Sequence, residues 1–237
     1  MINFERLFTY DGNTFFNEDC ISMMDRYSND YHYVITSPPD ADELENKSII
    51  SWHQLMHGVI RRFDPLNEFI TIILRDRKQN GGVQLKHSII TQIMTDYGWI
   101  LKSQRIWVRS FKANLYRYNY SFILTFKHKT VNAAGIKFKP VGEQKLPDVI
   151  EMPISPIDGY VDNYPPNLLK PFIECYTKPG QVVFDPFMGS AATAVAAIDS
   201  DRKWLGTEIL KPVFEIGINQ ITKAYENLER KKIDPPF

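Results

Sequence analysis

Residues 182–208 read VVFDPFMGSAATAVAAIDSDRKWLGTE, and this stretch decides how the chain is built. Three apolar residues run into Asp185 and Pro186, and a turn with Phe187 and Gly189 follows. Small residues from Ser190, Ala191 and Ala192 onward then carry an apolar helical pattern to Ile198. A second short strand, KWLGTE, ends in Glu208. Strand, tight turn, helix and strand in under thirty residues is a βαβ unit, which needs a parallel sheet with the helix packed on one face. A glycine in the turn lets backbone approach a ligand closely. An acid closing the next strand can accept hydrogen bonds from two ribose hydroxyls. The chemistry suits a nucleoside-bearing cofactor. The stretch lacks the G-x-x-x-x-G-K-[ST] loop for triphosphates and the full G-x-G-x-x-G of dinucleotide sites.

The same alternation continues outward. Strands are predicted over residues 33–36, 68–75, 105–111 and 120–128, with helices over 49–63, 86–97, 166–176 and 212–230. RKQNGG (residues 77–82) reads as a loop and residues 130–164 as an irregular insertion. The pattern predicts an α/β, Rossmann-like fold: one domain over residues 1–237, a mostly parallel sheet and helices on both faces. Ligands of such sheets lie beyond the carboxyl ends of the strands. Two strand ends carry unusual residues. One is the cofactor turn; the other is Thr36-Ser37-Pro38-Pro39-Asp40, and the two are expected to meet in space.

Composition narrows the partners. Hydrophobic residues make up 43% of the 237, enough for a sizeable core, and Lys+Arg and Asp+Glu balance at 28 each. No apolar run nears the ~20 residues of a membrane span. The N-terminus lacks the plan of a signal peptide, and two cysteines make neither a disulfide framework nor a metal cage. A cytoplasmic protein is expected. The charge is unevenly spread: the 46 residues between Asp96 and Glu143 hold nine bases and no acid. Lys102, Arg105, Arg109, Lys112, Arg117, Lys127 and Lys129 alternate there with aromatics such as Trp107, Tyr120 and Phe126. Basic side chains meet phosphates while aromatic faces stack bases, so this segment is the expected nucleic-acid contact. The plainer reading of most of these aromatics is the core face of two amphipathic strands.

Several segments together resemble the β group of DNA amino-methyltransferases. DPFMGSAAT is similar to that family's S-adenosylmethionine loop, DPF-x-GSGTT. TSPPD resembles its catalytic motif, [DNS]-PP-[YFW]. NEDC (residues 17–20) resembles the GDC ahead of that motif, and YPPNLLKPFIECYTKPGQVV the helix leading into the cofactor loop. LKHSIITQIMTDYGWILKSQRIWVR is similar to a helix–glycine–strand segment of the same family. Catalytic motif first and cofactor loop last is the order of the β group.

The resemblance implies methyl transfer from S-adenosylmethionine to an exocyclic amine of a flipped DNA base. Asp19, Cys20, Thr36, Asp185, Pro186, Phe187, Gly189, Ser190, Ala191 and Glu208 would hold the cofactor. Ser37, Pro38, Pro39 and Asp40 would hold the target amine, and residues 130–164 would be a small recognition element. Asp19 reads equally well as a helix cap. Ser37 tilts the target toward cytosine N4 over adenine N6. Asp40 and Ala191-Ala192 depart from the pattern, since an aromatic after the second proline would stack on the base. Three readings of Asp40 stand open: another aromatic (Tyr31, Trp52 or one from the basic segment) stacks; the substrate is RNA, a modified base or an unpaired one; or the chain binds nucleic acid without turnover. The implied state is monomer or homodimer, with no membrane partner. Cys20 reads as an inert buried thiol, and Asp76 as structural. His53 and His57, four apart, lack a convincingly spaced third ligand, so no metal is expected.

Overall fold

The computed structural model describes residues 6–27, 31–44, 48–67, 69–79, 81–110, 112, 117–130, 140–142, 145–157, 160 and 163–233. Part of the insertion, including Lys137 and Lys139, lies outside them.

In chain order the elements are β1 (Leu7–Tyr10), β2 (Asn13–Phe16), α1 (Cys20–Arg26), β3 (Tyr33–Thr36), α2 (Ile49–Ile60), β4 (Phe69–Leu74), β5 (Arg77–Gln79), β6 (Gly82–Gln84), α3 (Lys86–Asp96), β7 (Trp99–Val108), β8 (Tyr120–His128), β9 (Val149–Glu151), α4 (Pro166–Tyr176), β10 (Val182–Asp185), α5 (Ala192–Ile198), β11 (Lys203–Thr207) and α6 (Lys211–Ile233). Nine strands form one sheet in the order β1-β2-β11-β10-β3-β4-β8-β7-β9. From β2 to β4 neighbours run parallel. β8 is antiparallel to both its neighbours. This is the expected α/β, Rossmann-like arrangement, parallel at its centre with helices on both faces.

Local chemistry explains the pieces. FITIIL in β4 is buried at all six positions, as a β-branched central strand should be. The Ser48 side chain accepts from Ile50 N to start α2. Pro166 opens α4, where its missing N–H costs nothing. The sheet separates two apolar cores. Residues of α1, α2 and α3 pack on one face, and those of α4, α5 and α6 on the other.

Three features differ from the expectations. Residues 7–16 form a β-hairpin turning on Asp11 and Gly12, both at positive φ, as a tight I′-type turn requires. RKQNGG is not simply a loop: β5 and β6 pair as a small hairpin. Within the irregular insertion, Val149–Glu151 adds a parallel edge strand to β7.

Candidate active site

β3 and β10 are adjacent parallel strands, so their carboxyl ends lie side by side. The Thr36 hydroxyl donates to Asp185 Oδ1 at 2.6 Å, tying the two tips together. A cavity of about 730 Å³ opens over both. Asp19, Cys20, Thr36, Asp185, Pro186, Phe187, Gly189, Ser190 and Glu208 line one end, and Ser37, Pro38, Pro39 and Asp40 the other. Ala191 is the exception among the expected residues. It is fully buried and caps α5 in the left-handed region, φ 68°. The alanine's cost is therefore backbone strain of about 1–2 kcal/mol, not lost room in the cavity.

Asp185 is almost fully buried. Its Oδ1 also accepts from Phe187 N at 3.0 Å, and its Oδ2 from Thr193 Oγ1 at 2.6 Å. Burial pushes the carboxyl up to about 6, against the pull of these three donors. Asp185 thus shapes the loop from within. Glu208 is also raised by burial, opposed by the backbone N–H groups of Leu210 and Gly189. Asp19 caps α1 by accepting from Ser22 N at 2.9 Å and also lines the cavity, so capping does not remove it from the site. Burial and the neighbouring Asp19 carboxylate push the Cys20 thiol up to about 12, which leaves it inert at neutral pH.

At the other end, Ser37 Oγ donates to Tyr164 OH at 2.6 Å. The Trp52 indole donates to Pro39 O at 2.7 Å and fixes the proline pair. Trp52 is fully buried and Tyr31, packed on Phe184, is nearly so. Neither lines the cavity, which leaves the aromatics of the basic segment as the remaining candidates for stacking. Asp40 lines the cavity but is held by two cations. It ion-pairs with Lys86 and Arg77, and Arg77 also pairs Asp42 at 2.9 Å. Lys86 is 1% exposed and lies 5.7 Å from the Trp52 ring. The carboxylate that replaces the aromatic is thus the counter-ion of a buried lysine.

The basic segment is not one track. In β8, Phe122 pairs with Leu74 at the cavity end, whereas Lys127 pairs with Phe69 at the opposite end. Lys102, Lys127 and Lys129 therefore lie away from the cavity end, about 13, 16 and 23 Å along the strands at ~3.3 Å per residue. Arg105 is buried, its guanidinium beside Ser103. Arg109, also buried, lines the cavity, and Lys112 and Arg117 lie in or beside the loop it opens. An amphipathic period alone cannot say which end of a strand meets the ligand.

Sequence reasoning passed over Thr193, Asn163, Tyr164, Tyr160 and Arg75, all of which line the cavity. Only Thr193 had a usable signal, eight residues from Asp185 on the first turn of the following helix. Asp76 is structural as expected: it accepts from His87 N and Nδ1 at the start of α3. His53 and His57 touch edge to face, and no cluster of three or more metal-ligating side chains occurs among the described residues. No helix among them is long and apolar enough to cross a membrane.

A Rossmann-like sheet whose two central strand tips share one cavity is the arrangement of an S-adenosylmethionine-dependent methyltransferase. The chain belongs to the DNA methylase family of N6- and N4-methyltransferases, whose model matches residues 31–219. Among curated relatives, the DNA adenine methyltransferase YhdJ of Escherichia coli (strain K12) is 33% identical over 92 residues, 36% of this chain and 31% of the relative. The matched stretches span less than half the length of each such relative. Among solved structures, the PvuII DNA methyltransferase (cytosine-N4-specific) superposes with TM-score 0.67 at 15% identity, covering 91% of this chain and 92% of that one. The M1.HpyAVI–SAM complex does so with TM-score 0.63 at 20% identity, covering 87% and 98%.

Proposed function

We propose that the chain moves a methyl group from S-adenosylmethionine to an exocyclic amine of a DNA base, cytosine N4 in preference to adenine N6. The observation that carries this reading is the single cavity shared by Ser37 and Glu208, held together by the Thr36–Asp185 bond.

The residues at the acidic end fit the cofactor. Glu208 and Asp19 offer carboxylate oxygens to the hydroxyl and amine donors of a nucleoside, and half-buried Phe187 offers an apolar wall. Gly189 sits at φ 56°, and a Cβ there would come within 3.3 Å of Tyr160 OH. The cofactor supplies an electrophilic methyl sulfonium, so the protein needs to add little covalent chemistry.

An exocyclic amine is a weak nucleophile because its lone pair is delocalised into the ring. Ser37 Oγ and the Pro38 carbonyl accept its two hydrogens, which favours a pyramidal nitrogen with its lone pair free. That is positioning plus electrostatics. Pro38 has no N–H to compete, and the prolines stiffen the loop. A paired base reaches this pocket only by flipping out, at roughly a few kcal/mol. Serine in the motif supports the cytosine preference. Arg109, Lys112 and Arg117 at the cavity end are the proposed phosphate contacts.

The test is incubation with labelled S-adenosylmethionine and mixed-sequence DNA, followed by nucleoside mass analysis. N4-methylcytosine is expected. N6-methyladenine overturns the base preference, and no labelled nucleoside overturns the reaction.

A further inference from the structure

A serine hydroxyl carries one proton and two lone pairs. To accept a hydrogen from a target amine, Ser37 must keep its own proton pointed elsewhere. A proton turned into the pocket would set donor against donor. The heavy-atom geometry assigns that proton to Tyr164: Ser37 Oγ donates to Tyr164 OH at 2.6 Å, within the short range of O–H···O bonds.

We propose that Tyr164 is a positioning residue that holds the Ser37 proton out of the target pocket, leaving the serine oxygen an acceptor. The proposal rests on the methyl-transfer reading of the site and adds a residue that the TSPPD motif does not contain.

Tyr164 is itself held in place. Its ring lies 5.0 Å from that of Trp107, which is fully buried and donates through its indole N–H to Met152 O at 2.7 Å. The Arg109 guanidinium sits 5.0 Å from the Trp107 ring and 5.9 Å from the Tyr164 ring, closing the stack. The preceding residue is tied to the cofactor loop. Ser190 Oγ donates to Asn163 Oδ1 at 2.5 Å, and Asn163 Nδ2 donates to Ser155 O at 2.8 Å. Asn163 and Tyr164 therefore clasp one serine from each of the two strand-tip loops. Ser37, Tyr164, Arg109 and Asn163 all line the cavity, so the bond between Ser37 and Tyr164 lies at the surface that would meet the base.

A bond serving stability alone would leave turnover intact once the fold is preserved. A proton-orienting bond acts on turnover. Tyr164→Phe keeps the ring and its contact with Trp107 while removing the acceptor.

The full chain, Tyr164→Phe, Ser37→Ala and the double variant are compared by methyl transfer to DNA and by urea unfolding. Tyr164→Phe should lower kcat tenfold or more, with KM for DNA and Kd for S-adenosylmethionine within twofold. The unfolding losses of the two single variants should be coupled, so that the double variant is no weaker than the weaker single one. A kcat within twofold of the parent, or additive unfolding losses, overturns the assignment. If the parent itself transfers no methyl group, the methyl-transfer reading falls instead. The unfolding cycle then decides by itself: coupled losses support the Ser37–Tyr164 pairing and additive losses overturn it.

Discussion

Thr36 Oγ1 and Asp185 Oδ1, 149 residues apart in sequence, are joined by a buried 2.6 Å hydrogen bond. Neither strand tip is built to stand alone. Asp185 is a carboxylate in an apolar surrounding, made tolerable by two hydroxyls and one backbone N–H. Thr36→Val removes one hydroxyl at nearly constant volume. It should push the Asp185 carboxyl further up and weaken S-adenosylmethionine binding about tenfold by titration calorimetry. Unchanged affinity would separate the bond from the cofactor site.

The same carboxyl sets a pH dependence. Its value rises from an ordinary 3.8 to about 6 because burial outweighs its donors. Between these values the folded state holds a proton that the unfolded state has released. Stability contributed by this group therefore falls as pH rises from about 4 to about 6, and is level above. Asp185→Asn should lack that falling limb in urea unfolding measured across the window. A limb of the same size in the variant would assign it to another group, with Glu208 the first alternative, since burial raises it too.

Asp40 and Lys86 make a pair whose two halves are unequal in risk. Asp40→Asn leaves a buried ammonium without its anion, a loss of about 3–5 kcal/mol where such pairs have been broken. Burial draws Lys86 down to about 7, with its ammonium paired to the Asp40 carboxylate. Above about pH 7 the folded lysine is neutral, while the unfolded one keeps its proton to 10.5. The stability contributed by Lys86 should therefore rise with pH between about 7 and 10, and Lys86→Met should lack that rise. Asp40→Asn with Lys86→Met should be more stable at neutral pH than Asp40→Asn alone. A single variant as stable as the parent at pH 7 would show that the pair carries no such load.

Much of this was readable from the chain because the chemistry is local in sequence. A strand ending in DPFMGS, followed by a small-residue helix and an acid-tipped strand, states its own geometry, and β3, β10, α5 and β11 lie where that pattern puts them. What was lost depended on partners far along the chain. Ser37 finds Tyr164 across 127 residues, and Asp40 finds Lys86 through the start of α3. No period of 2 or 3.6 encodes such contacts. The Asp11-Gly12 hairpin is a different case, since its turn signal lies in plain view and only its short flanking strands conceal it.

Gly206 is a residue whose role emerges only in three dimensions. It sits on β11 beside Asp185. A Cβ there would lie 2.8 Å from Met188 Sδ and 2.9 Å from the Asp185 carbonyl oxygen. The methionine can move, but the carbonyl belongs to the strand that carries the loop. Gly206→Ala should cost about 1–3 kcal/mol by urea unfolding, as overpacked cores do. It should also weaken cofactor binding, because relief requires displacing the 185–189 turn. Full affinity in a destabilised variant would confine the effect to packing.

The division of the basic segment gives the sharpest test of where DNA lies. Each phosphate neutralised releases counterions, and affinity falls with salt at a slope of about 0.9 per contact. Lys112 is exposed beyond Arg109, at the carboxyl ends of the parallel strands where the cavity opens. Lys102 and Lys129 are also exposed, but Lys129 follows His128 at the opposite end and Lys102 lies partway there, beside the Phe126–Thr125 level of β8. Equal charge on exposed side chains at different distances from the strand tips makes a controlled comparison. Lys112→Ala should reduce the salt slope by about one contact, whereas Lys102→Ala and Lys129→Ala should leave it unchanged. Binding is measured by fluorescence anisotropy on a labelled duplex over a salt series. An equal loss of slope in all three would mean that the duplex tracks the full length of the outer strands, and the cavity end would no longer define the interface.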